Sequence, residues 1–308
     1  MTESQLENIL SKHLKKGASC IYDGDSMYHP IIVTNAIKNI LGDVRSNPSK
    51  YILDFIDDHS QSLKMRIEDK KYLNKINKKE IGLTVFISDL EDAYQNGDIN
   101  TTQKHLSRLY LASDGSPAIL QNLAELALQD IDEYGTFIYH CLRAFAFAPE
   151  KDRVWIFLQC IIRTLLNRGL PRPHSGININ ALDINKYFLS INDSKGMNTL
   201  CSVWRLLESE YTRLPGFKRE ISFWINQYNI SNTIDIEEKN PDNLNYYIEN
   251  KSDYFVKLTE DIIQSNVHIN ERITTLESLR YFTKKIDSKY LPIVAYKIYL
   301  LMDNYENR

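Results

Sequence analysis

Chemistry in this chain has to come from histidines and carboxylates, because the familiar catalytic signatures are missing from its 308 residues. There is no glycine-rich phosphate loop, no G-x-S-x-G, no H-E-x-x-H and no H-x-E followed by P-C-x-x-C. Nucleotide hydrolysis, serine hydrolysis and zinc-protease chemistry therefore lose their sequence supports. His140 is the most informative residue. It lies in GTFIYHCLRAFAFAP, where Phe137, His140, Cys141, Ala144, Phe145 and Ala148 recur at i, i+3, i+4, i+7, i+8 and i+11. That spacing is one face of a helix, so the imidazole is expected on the core side. A buried imidazole needs partners for both nitrogens. A metal ion would serve, and so would a neighbouring carbonyl or tyrosine.

The other candidates are local. His29 precedes Pro30 at an expected helix start, where side chains often point into a site. Asp23 and Asp25 nearby either ligate a hard cation or shape a turn. His59 lies on the stripe Ile52, Phe55, Ile56, His59, Leu63, and packing is its expected role. In VHINERITTLESLRYF, His268 and Glu271 stand at i and i+3. Bundle helices use that spacing to bring an imidazole and a carboxylate to one metal. If the helix begins only after His268, the pair is a capping arrangement instead. Glu277 lies six residues beyond Glu271, on a different face of a straight helix. His13, His105 and His174 read as structural or surface residues. Tyr28 and Tyr246-Tyr247 suit an aromatic-lined pocket as well as a packed core.

The elements that must position these residues are helices. Apolar periodicity of helical type recurs from end to end and strand-type alternation is nearly absent. A first helix is expected from about Ser4 to Lys16, stopped by Gly17. Pro30 and Gly42 bracket a second, and Ser46-Asn47-Pro48 opens a third. The lysine-rich segment Arg66–Glu80 reads as exposed. A pair follows at about 81–96 and 100–112, then a start at Ser116-Pro117, then helices at about 134–148 and 151–167. Residues 178–240 mix short helical patterns with polar turns. From Asn243 three helical segments follow, separated near Asn250, His268 and Asp287. Repeats of solenoid period are not found. The expected fold is all-α: one multi-helix bundle spanning 1–308, with a possible sub-boundary near 168–180.

Composition narrows the class. Apolar residues make up 43 % and charged residues 25 %, enough to bury a core. The net charge of −3 argues against a general nucleic-acid binder. No stretch has the length of a membrane span and no signal peptide is read, so a cytoplasmic protein is expected. Cys20, Cys141, Cys160 and Cys201 are far apart without a C-x-x-C, which fits a reducing compartment.

Four segments together resemble the questin oxidase-like family, the aflatoxin-pathway Baeyer–Villiger oxidase group. They are YHPIIVTNAIKNILGD, NPSKYILDFIDDHSQSL, GTFIYHCLRAFAFAPE and ERITTLESLRYF, in the family's order and over most of the chain. The resemblance implies a helical fold with a non-haem metal site and oxygen-dependent attack on an aromatic, polyketide-like small molecule. His140 matches the family pattern, and His29 matches with a one-residue shift. Where family histidines are expected in the last segment, this chain has Glu271 and Glu277, with His268 nearby. The expectation is thus a ferrous ion held by His29, His140, His268, Glu271 and Glu277, in an oxidase or oxygenase. The alternative is a non-catalytic helical module that binds a ligand or another protein. The sequence leaves the oligomeric state open.

Overall fold

The computed structural model describes residues 1–76, 81, 84–166, 170–175, 183–227 and 253–303. In chain order its helices are α1 (Glu3–Ser19), α2 (Pro30–Leu41), α3 (Lys50–Gln61), α4 (Lys71–Lys75), α5 (Ile87–Gln95), α6 (Ile99–Ala112) and α7 (Ala118–Ala127). Then come α8 (Ile131–Phe147), α9 (Lys151–Leu166), α10 (Ile184–Ser190), α11 (Ser194–Leu207), α12 (Leu214–Gln227), α13 (Tyr254–Ser265), α14 (Ile269–Phe282) and α15 (Leu291–Asp303). Among the described residues the extended pairing is one isolated bridge between Cys20 and Met65. No described helix is long and apolar enough to cross a membrane. The chain is an all-α helical bundle. The expected tyrosine pair Tyr246-Tyr247, the segment from Asn243 to Asn250 and most of the 168–180 stretch lie outside the described residues.

Local chemistry sets most helix ends. Thr2 and Gln5 form a reciprocal capping box at α1. At α2 the His29 Nδ1 accepts from the Ile31 N–H at 3.2 Å, Pro30 takes the first turn, and Gly42 follows the last residue. Asp130 and Asp193 cap α8 and α11 through the N–H groups of Glu133 and Gly196. Gly17 departs from expectation. It is not the stop of α1 but a buried residue inside it, because α2 crosses there: a Cβ at Gly17 would already touch Ile31 Cα at 3.4 Å. Glycine permits that close approach, and α1 runs on to Ser19.

Four helices form a closed ring at the centre: α2 packs on α8, α8 on α11, α11 on α14, and α14 back on α2. One continuous apolar cluster runs from Leu6 in α1 to Leu301 in α15. α14 is buried on every side from Arg272 to Arg280. Its polar groups are therefore paired across helices, for example Asn198 with Thr275 and Ser278.

The stretch expected to be exposed after α3 contains an internal strap. The Arg66 side chain is 6 % exposed and its Nε donates to Asp69 at 2.9 Å. Its other nitrogens donate to the carbonyls of Cys20 and Ala18, both at 2.7 Å, and of Ile156 at 3.2 Å. The guanidinium thus ties the end of α1 to α9. Arg66→Ala would leave those carbonyls short of donors. It should lower the unfolding free energy by about 2–4 kcal/mol, read as a lower urea midpoint at unchanged slope.

Candidate functional site

The fold separates the five expected metal ligands. His29 is buried at the start of α2, with Nδ1 on the Ile31 N–H and Nε2 at 3.7 Å from Cys160 Sγ. His140 is 2 % exposed, and its Nδ1 takes the Asn35 side-chain amide at 2.8 Å. His268 is an exposed residue with φ of +44° immediately before α14. The helix begins after it, so the His268–Glu271 spacing never becomes one helical face. Glu271 lies half-buried at a small cleft beside Tyr28 and Lys195. Glu277 is 1 % exposed, and its carboxylate is engaged by Arg205 and Asn39.

Among the described residues no three His, Cys, Asp or Glu side chains gather as a metal site. The residues expected to hold iron do not fit it. His140 and Glu277 interact electrostatically inside the bundle, but the Glu277 carboxylate is committed to Arg205 and Asn39 and the His140 Nδ1 to Asn35.

What the ring of helices does build is a cavity of about 480 Å³ at one end. All four ring helices reach it with their C-terminal halves: Lys38 and Asn39 from α2, Tyr139 and Arg143 from α8, Arg205 from α11, Glu277 and Arg280 from α14. The N-terminal turns of α1 close one side with Leu6 and Leu10, and the exposed Glu3 and Glu7 line the mouth of the same cavity. Helix C-termini carry negative partial charge. Four of them converging explains why cations collect here, whereas an isolated helix would scatter them.

Most of these ions are neutralised in place. Arg205 grips Glu277 with two nitrogens, both at 2.8 Å, and donates to Tyr139 Oη at 2.9 Å. Its plane lies over the Tyr281 ring at 4.0 Å. Asn39 adds a donor to Glu277 at 3.0 Å, and Arg280 pairs with Asp43 through two nitrogens. Burial by itself would raise the Glu277 carboxyl, but Arg205, Arg280 and His140 outweigh it and hold it at about 2. Burial pushes the His140 imidazole down to about 3, so it stays neutral.

Lys38 is the buried exception. It is 6 % exposed and lines the cavity, with its Nζ over the Phe147 ring at 5.2 Å. It has no hydrogen-bond or ion-pair partner among the described residues. Burial first, and then the positive field of Arg143, press its amine down to about 7; Glu277 opposes them, and Arg205 and Arg280 add to them. Sequence reasoning passed over this residue. The signal was there: Lys38 is the single charged residue of PIIVTNAIKNIL, on the one polar stripe it forms with Thr34, Asn35 and Asn39.

The fold and cavity define a helical bundle with a polar chamber at one end of a four-helix ring. No protein-family model, curated protein or solved structure matches the chain. The likeness to the questin oxidase-like family therefore rests on the four sequence segments alone.

Glu277→Gln would leave the Arg205 charge buried without its counter-ion. It should cost about 3–5 kcal/mol in urea unfolding, whereas Arg205→Met combined with Glu277→Leu should recover much of that loss. Lys38 acts in the opposite direction. Its amine titrates at about 7 in the fold against the ordinary 10.5, so the unfolded chain holds the proton more tightly. The resulting cost to stability is complete below about pH 7 and fades as pH rises toward 10.5. Lys38→Met should accordingly be more stable than the parent by a few kcal/mol at about pH 6, with the gap closing by about pH 10, as denaturation series at the two pH values would show.

Proposed function

We propose that the protein binds a small organic carboxylate in the cavity of the four-helix ring. The observation that carries this reading is Lys38: a buried ammonium or amine with hydrogen-bonding capacity and nothing in the described chain to use it. A lysine nitrogen offers up to three donors, and Lys38 turns them to the cavity with none taken by a described residue. Carboxylate oxygens arriving at Nζ would supply what the fold omits.

The cavity wall carries acids as well as bases, Glu3, Glu7 and Glu208 among them, but its bases are not all spent. Arg205 and Arg280 are spent on Glu277 and Asp43, but Arg143 lines the same cavity, is exposed, and has no ion-pair partner among the described residues. Phe147, Tyr139 and Tyr281 give the chamber aromatic surface, suited to the flat body of an aromatic acid. This keeps the expected aromatic small molecule and favours the ligand-binding alternative over oxygen chemistry. Four buried free cysteines are in keeping with a reducing compartment such as the cytoplasm.

Titration calorimetry with benzoate and benzamide tests the reading. Benzoate should bind and benzamide should not. Lys38→Met and Arg143→Met should each weaken benzoate at least about tenfold, equivalent to roughly 1.4 kcal/mol. Equal binding of acid and amide, or benzoate affinity untouched by either substitution, would sink the proposal.

A further inference from the structure

We infer that Lys38 is also a covalent site: it condenses with the carbonyl of a small oxo acid held in the cavity and forms an imine. This rests on the carboxylate reading of the same chamber and adds the chemical class of its natural occupant.

Three features of the surroundings lead there. Lys38 Nζ lines the cavity instead of being tied to the protein, and its one ring neighbour, Phe147, accepts no proton. The charged groups facing it are Arg143 from α8, Arg205 from α11, and Glu277 and Arg280 from α14. Arg205 and Arg280 are paired with Glu277 and Asp43, which leaves Arg143 as the unpaired cation facing Lys38, and burial with that charge lets a substantial fraction of the amine stay neutral and nucleophilic near pH 7. The guanidinium of Arg143, without an ion-pair partner among the described residues, lines the same chamber and is the group that would take the carboxylate while the carbonyl meets the lysine.

Lys297 supplies the contrast within this chain. It too is buried, but its Nζ donates to the Ile191 carbonyl and to Asn192 Oδ1. It is a structural lysine with its donors occupied, and Lys38 is not.

The step balances without an oxidant or reductant. The nitrogen lone pair forms a bond to the carbonyl carbon, and the C–O π pair moves to oxygen. The carbinolamine then loses that oxygen together with the two amine protons as one water molecule, leaving C=N. With an amine at about 7 in place of 10.5, the neutral fraction of Lys38 near pH 7 exceeds that of a surface lysine by about a thousandfold.

Reductive trapping tests this on the full chain. Protein is incubated with glyoxylate or pyruvate and cyanoborohydride, and the peptides are mapped by mass spectrometry. Adduct should appear on the Lys38 peptide at least about tenfold above any other lysine, Lys297 included. It should be absent in Lys38→Arg and Lys38→Met, be suppressed by benzoate, and gain rate through neutral pH before levelling off. Label spread evenly over surface lysines, or undiminished in both variants, would overturn the inference. Benzoate binding with no trapping at Lys38 would remove the covalent step and leave the cavity reading standing. Absence of both would remove the two together.

Discussion

The buried pair of Arg205 and Glu277 is the interaction on which the centre of this protein depends. It joins α11 to α14, is braced by Asn39 of α2, and reaches Tyr139 of α8. Each helix of the ring therefore contributes to one hydrogen-bonded cluster. A buried ion pair is weak evidence of net stability, since desolvation offsets much of the attraction. Its value here is geometric. Four helices that could slide on apolar contacts alone are held to one register by a bidentate pair that tolerates little displacement.

The same cluster explains why the cavity has the electrostatics it has. Four helix C-termini converge on it, and without cations their partial charges would repel one another. Arg205 and Arg280 meet that demand and are in turn neutralised by Glu277 and Asp43. Lys38 is the buried cation left over, and burial with the nearby Arg143 charge lowers its amine to about 7. A group of that kind costs stability, which is a reason to look for what it does.

His29 and His140 show how buried histidines can be engaged by separate neighbours inside one bundle. One caps a helix through Nδ1 and sits against a thiol. The other shares a hydrogen bond with an asparagine and packs edge-on against Tyr139. Both lie inside the bundle, as the apolar stripe around His140 implied, yet each meets its own neighbours and they do not converge.

Local physics was enough for much of the outline. Periodicity gave the helical class, Pro30 with Gly42 and Ser116-Pro117 gave helix limits, and the i, i+3, i+4 pattern put His140 in the core. These follow from backbone sterics and from which face an apolar stripe must bury, both of which act within a few residues. The site itself was decided by packing. Glu277 read as one of two acids on different faces of a helix, because nothing within a turn of it reveals that α14 is enclosed on every side, or that its partner is Arg205 in another helix. Gly17 looked like a stop because only the crossing of α2 requires it. Lys38 became the telling residue only once α2, α8, α11 and α14 brought their ends together, since a lysine's partners, and its lack of them, belong to the neighbouring helices and not to its own.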